Sequence, residues 1–281
     1  MEQPLSDSHS HAPPMPDKPM RNWREVDNLK LVLFLFPLLA VRFYEGGFNE
    51  TAQRALLLIA VFVVAYGWSG IFTKRLIYKP NINQLYFTIL FTVLLPAQVG
   101  WGGAILAASF GWVFAYEVFG GKGFISPALL ALAFGIFSFS NDAYQIDSLF
   151  FAKFDWALAL ACIPAILWML WADALSRRVL VSAVLGAGII ATTLNVPQAP
   201  LWWEHLILGT FLPGILFIAA NPQSAPRTPR AQWVYGAMIG GLIIIIRLSD
   251  PAQPDGVVFA LLLASLFAPL VERATGWRPS P

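Results

Sequence analysis

LPGILFIAANPQSAPRTPR (residues 212–230) changes character halfway along. Its first half is apolar and uncharged. From Asn221-Pro222 onward it is polar and proline-rich, and it closes on Arg227 and Arg230. An uncharged apolar run suits hydrocarbon, where a helix satisfies every backbone group internally. A proline-locked loop with two cations suits the cytoplasmic flank of such a helix, because Lys and Arg collect on that side.

The same alternation recurs along the whole chain of 281 residues. Hydrophobic residues make up 57% and charged residues only 12%, with a mean hydropathy of +0.64, far from soluble averages. About ten apolar segments stand out, at roughly 28–45, 52–72, 83–99, 102–119, 126–141, 155–172, 177–195, 204–220, 231–248 and 256–272. Around Ala97–Gly102 one long bent helix could replace two spans. The expectation is an all-α integral membrane protein with about ten transmembrane helices. Residues 1–27 read as a polar, Pro-rich, disordered tail rather than a secretory leader, 28–273 as one membrane domain, and 274–281 as a short second tail.

Positive charge fixes the expected orientation. With ten spans and a cytoplasmic N-terminus, fourteen of the 18 Lys and Arg fall on the inner side: Lys18, Arg21, Arg24, Lys30, Lys74, Arg75, Lys79, Lys122, Arg177, Arg178, Arg227, Arg230, Arg273 and Arg278. Arg42, Arg54, Lys153 and Arg247 fall outside. Both termini are then cytoplasmic, in a bacterial-type inner membrane.

On that inner face a second loop shares the chemistry of the first. EVFGGKGFISPALLALAF (117–134) joins two apolar segments through Gly120, Gly121 and Gly123, and Ser126-Pro127 is suited to N-cap and first helical positions. One reading is a capped hairpin. The other is that the free N–H groups of the helix start face an anionic ligand; the spacing is not that of a nucleotide-binding P-loop. Candidate cofactor-binding residues on the two loops are Gly120, Gly121, Gly123, Ser126, Asn221, Ser224 and Thr228. LLPAQ (94–98) and FLPGI (211–215) also place a proline in the third and eighth segments. Those segments are equivalent if the ten form two inverted five-helix repeats with helices three and eight interrupted.

These residues carry a resemblance. The stretch 209–272 resembles the C-terminal part of the NqrB/RnfD family, membrane subunits of the sodium-pumping NADH:quinone reductase and of the Rnf ferredoxin:NAD oxidoreductase. The similarity runs through Asn221, Pro222, Ser224, Ala225, Pro226, Tyr235, Gly236, Gly240, Ile246, Arg247, Pro254, Asp255, Gly256, Leu266, Phe267, Ala268 and Pro269. Glu117 to Leu129 is similar to the family's glycine-rich turn, with Ser126 where the family has asparagine. The resemblance implies the ten-helix inverted-repeat fold and a membrane subunit of an electron-transport complex. It also implies other membrane subunits and a cytoplasmic redox partner; nucleic acid is no partner. Members in the respiratory pumps carry FMN on a threonine of a Ser-Gly-Ala-Thr sequence. The corresponding stretch, NDAYQIDSLFFAKFDW (141–156), lacks it, and no threonine occurs between Thr92 and Thr192. Covalent FMN is not expected there, while FMN or riboflavin held without a covalent bond is compatible with the chain.

The rest of the polar inventory is thin. Glu117 near the inner end of the fourth segment reads either as a functional carboxylate or as a partner of Lys122. Glu204-His205 reads as a cap and interfacial anchor at the start of the eighth segment. His9 and His11 are too few for a metal tract, and the lone Cys162 can form neither an internal disulfide nor a cluster site. Trp23, Trp101, Trp156, Trp202 and Trp203 fit an interfacial belt. No catalytic residues or metal ligands emerge. Two other function classes stay open beside the electron-transport subunit: an ion or small-solute conduit, and an accessory scaffold of a specialised biosynthetic pathway, such as the relatives associated with enediyne biosynthesis.

Overall fold

The computed structural model describes residues 28–75, 77, 79–96, 99–119, 125–139, 155–172, 175–194, 196, 199–249 and 256–275. The described residues are helical and contain no strand. In chain order the helices are α1 (Asn28–Glu45), α2 (Gly47–Thr73), α3 (Ile82–Leu94), α4 (Trp101–Trp112), α5 (Pro127–Ser138), α6 (Trp156–Ala161), α7 (Ile163–Ala172), α8 (Arg177–Leu194), α9 (Glu204–Ile207), α10 (Phe211–Gly214), α11 (Pro229–Ser249) and α12 (Gly256–Ala274). Two π-helical turns, Val113–Glu117 and Ile215–Ala219, extend α4 and α10. Taken with these turns and with α6–α7 and α9–α10 as pairs, the helices fall in ten stretches that overlap the ten apolar segments of the sequence.

Local chemistry sets several ends. Asn81 opens α3 with a capping box: its side chain accepts from the Asn83 N–H, and Gln84 Oε1 accepts from the Asn81 N–H. Asp155 caps α6 by accepting from the Leu158 N–H at 3.0 Å. Ser126 sits at the N-cap position of α5, but its hydroxyl makes no cap bond, against the sequence expectation. The third segment stops at Leu94, and Leu95 turns extended ahead of Pro96, since the residue before a proline is pushed out of helical geometry. The eighth segment breaks between Ile207 and Phe211 around Gly209, whose φ of 58° favours glycine.

Side-chain bonds show that successive stretches run in opposite directions. At one end, Arg42 near the end of α1 meets Asp155 at the start of α6 (3.1 Å) and Val93 O at the end of α3 (3.3 Å). Arg54 in the N-terminal part of α2 donates to Thr92 O and Leu95 O, and Trp156 lies against Trp203 just before α9. At the other end, Asn81 donates to Tyr116 Oη below α4 (3.1 Å), Ser176 N–H before α8 donates to Ala220 O (2.9 Å), and Arg227 N–H donates to Glu272 in the last turn of α12. α3 and α4 are therefore two antiparallel helices, not one bent one.

Four helices, α2, α8, α11 and α12, are long and apolar enough to cross a membrane; α3, α5 and the α6–α7 stretch are shorter and apolar. At 27 residues α2 is about 40 Å long, and it buries only the single stripe Leu57, Val61, Ala65 and Ser69. Its other faces expose Leu56, Ile59, Val63 and Ile71, an arrangement for lipid rather than water. Where no water drives apolar faces together, close backbone approach does the holding. The most extensive contact, α8 against α11, is of this kind. A Cβ at position 240 would fall 1.9 Å from Ala183 O, and one at 236 would fall 2.0 Å from Ser182 Oγ.

Gly240→Ala should therefore lower stability by about 2–3 kcal/mol through overpacking. Gly67→Ala, which meets nothing within 4 Å, should stay within about 0.5 kcal/mol of the parent. Thermal unfolding in detergent compares the two, and equal effects would refute the close-packed seam.

Candidate functional site

At the Asn81 end of the bundle Tyr86 on α3 ties the Asn221 loop to the crevice that Ser126 lines. The Tyr86 hydroxyl donates to Phe217 O in the π-turn after α10 and accepts from Asn221 Nδ2 at 3.3 Å. A π-turn departs from the α-helical bonding ladder and is held here from outside by that hydroxyl. Asn221, only 1% exposed, uses its other amide atom to accept from the Gln223 N–H (3.1 Å), and its carbonyl accepts from the N–H groups of Ser224 and Ala225. The loop is thus folded onto its first residue, an Asx turn stabilised from across the bundle.

Beside Tyr86 lies a crevice of about 10 Å³ lined by Asn83, Phe87, Trp112, Tyr116, Ser126 and neighbouring residues. Tyr116 Oη accepts from the amides of Asn81 and Asn83, and its ring stacks on Trp112 with centroids 4.3 Å apart. Trp112 in turn donates its indole N–H to Ser69 Oγ and to Glu117 Oε1, both at 3.0 Å, and Ser69 also donates to Glu117. Glu117 is therefore held by Ser69 and Trp112; Lys122 lies outside the described residues.

The remaining candidates separate by role. Gly120, Gly121 and Gly123 lie outside the described residues. Ser126 is 4% exposed and turns into the crevice instead of capping. Ser224 is 3% exposed, and its hydroxyl has no hydrogen-bond partner among the described residues; the same holds for both amide atoms of Gln223. Thr228 is committed to structure, because its hydroxyl accepts from the Ala231 N–H at the start of α11. Ser126 and Asn221 are brought together through Tyr86 and the crevice, and Ser224 lies on the same folded loop.

Beyond the Glu117 carboxylate held by Ser69 and Trp112, this cluster offers hydroxyl and amide groups to a polar ligand. It holds no nucleophile–base pair, and among the described residues no group of three or more His, Cys, Asp or Glu is placed to bind a metal. Its hydrogen-bonding groups suit the carbonyl edge of a flavin, and among the described residues the crevice has room for about one water. Sequence reasoning missed Tyr86, Tyr116, Asn81, Asn83 and Trp112. The sign was there in NINQLY (81–86), a polar opening on an otherwise apolar segment.

At the opposite end the charged groups are structural. Arg247 is 2% exposed and donates to His205 O (2.8 Å) and Leu208 O (2.9 Å), the carbonyls released where the eighth stretch breaks. It is a buried residue of the last turn of α11, at the end where the charge count put it. His205 is fully buried, not an interfacial anchor, while Glu204 does cap, accepting from the Leu201 N–H at 2.6 Å.

Described residues that are helical, with four helices long and apolar enough to cross a membrane and a polar cluster at one end, define a class of membrane protein. Comparison narrows the class: the chain matches the NQR2, RnfD, RnfE family at residues 24–155 and 142–279, and it belongs to that family. Similar relatives include the NqrB-type subunit of the Na(+)-translocating NADH-quinone reductase of Pseudoalteromonas atlantica, 30% identical across 85% of this chain and 66% of the relative. The corresponding subunits from Klebsiella pneumoniae and Ectopseudomonas mendocina are each 31% identical, across 77% and 80% of this chain and 65% and 68% of their own lengths. The chain thus spans about two thirds of these relatives.

Tyr86→Phe should remove both bonds of the joining hydroxyl and lower stability by about 1–3 kcal/mol, the cost of orphaned buried polar groups. Hydrogen exchange at 217–225 should rise while exchange at the α8–α11 seam stays unchanged. Arg247→Leu should cost about 2–5 kcal/mol, because two carbonyls lose their donors, and Arg247→Lys should recover part of it. Thermal unfolding with peptide-resolved exchange checks both.

Proposed function

We propose that the chain is a membrane subunit of an Nqr- or Rnf-type electron-transport complex in a bacterial inner membrane. In this reading its ten helical stretches are ten spans arranged as two inverted five-helix repeats, and the Asn81 end faces the cytoplasm with both termini. Other membrane subunits flank it, and a cytoplasmic redox partner meets the cluster of Ser126, Asn221 and Ser224. The observation that carries the reading is the family match over both halves of the chain. The charge distribution supports the orientation: the described exposed cations Lys30, Lys74, Arg75, Lys79, Arg177, Arg178, Arg227, Arg230 and Arg273 belong to the Asn81 end, while Arg42, Arg54 and Arg247 are bonded inward at the other. The missing Ser-Gly-Ala-Thr favours a docking or relaying subunit without covalent FMN.

Purification from native membranes with associated proteins tests this. The assembly should show redox absorbance that bleaches on adding NADH or another low-potential donor, and the chain itself should have its unmodified polypeptide mass. An assembly with no redox absorbance overturns the reading in favour of the scaffold. Ion or solute flux through proteoliposomes holding this chain alone would favour the conduit.

A further inference from the structure

The cations at the Asn81 end are not all alike. α8 and α11 run parallel and touch backbone to backbone at Gly236 and Gly240, so their first turns lie side by side. Arg178 in the first turn of α8 reaches across to α11, donating to Gln232 Oε1 at 3.4 Å. Gln232 is itself fixed, its amide donating to Pro226 O at 2.9 Å and its carbonyl accepting from Ser182. Arg178 is therefore a guanidinium laid over the seam between two helices. Arg230 stands exposed in the first turn of α11, and Arg227 just ahead of it. Among the described residues none of these three side chains is paired with a carboxylate; Glu272 accepts from the backbone N–H of Arg227.

The surface continuing from these arginines is apolar and open: Val181 and Leu185 on α8, Trp233 and Val234 on α11, all between 44% and 52% exposed. A basic head above an apolar lane matches a ligand with an anionic head and a hydrocarbon tail. An acidic protein surface would match the charge but not the lane. Guanidinium groups recognise phosphate oxygens through their planar fork, and basic pockets between helices on the cytoplasmic side are where anionic headgroups bind. We propose that the α8–α11 seam binds an anionic phospholipid, with Arg178 and Arg230 holding the phosphate and the Val181–Trp233 surface carrying an acyl chain. This site does not depend on whether the chain carries electrons.

The test uses the chain with its associated subunits in phosphatidylcholine nanodiscs, with and without phosphatidylglycerol, read by thermal midpoint and by native mass spectrometry of retained lipid. Phosphatidylglycerol should raise the midpoint by a few degrees and be retained. The R178Q/R230Q variant should lose more than half of that shift. K74Q/R75Q removes two cations from the same end on α2, which packs against α1, α3 and α4 instead, and it should keep the shift. The proposal is overturned if phosphatidylglycerol does no more than phosphatidylcholine, or if K74Q/R75Q loses as much as R178Q/R230Q. It is equally overturned if inorganic phosphate reproduces the shift, which would mark a free-anion site. Release of an associated subunit by R178Q/R230Q in both lipids would make the seam a protein contact and overturn it too.

Discussion

Arg247 donating to His205 O and Leu208 O is the bond on which the rest of the architecture depends. A helix that breaks inside an apolar bundle exposes carbonyls that no water can satisfy. The eighth stretch consists of two four-residue helices and a π-turn, too short to be stable alone. It stands because α11 supplies a guanidinium at one end of it and α3 supplies Tyr86 at the other. The third stretch is closed in the same way, with Arg42 and Arg54 donating to carbonyls at the end of α3. In both places guanidinium groups serve backbone carbonyls, and Arg42 pairs with Asp155 as well.

That arrangement connects the two ends of the molecule. The break held by Arg247 leads through α10 and the π-turn to Asn221, and Asn221 returns to Tyr86 beside the crevice that Ser126 lines. The loop carrying Ser224 is thereby fixed relative to the start of α5, although the two are far apart in sequence.

Much of this was legible in the residues. Uncharged apolar runs separated by Pro, Gly and cations gave ten segments, and helix occupies each of them, because hydrophobicity and internal hydrogen bonding are local properties. Asn221 and Ser126 were legible as polar residues at the ends of apolar runs. His205 was misread as an interfacial anchor by the same logic, and for Arg247 only the packed structure shows that a broken neighbour needs its donors. Ser126 looked like a cap by type and position, yet its side chain turned into the crevice. Tyr86 gave no periodic sign of its role, since its partners lie more than a hundred residues away.

The sequence by itself determined the solvent this chain is built for, the order of the helical stretches among the described residues, and the concentration of their exposed positive charge at one end. Each follows from composition over short windows and needs no knowledge of neighbours. Only the tertiary structure decided which arginines are bonded to backbone carbonyls, where the eighth stretch breaks, and that Tyr86 ties the Asn221 loop to the crevice that Ser126 lines. Those outcomes rest on long-range contacts, in which a buried polar group takes whatever partner the packing of distant helices brings within reach.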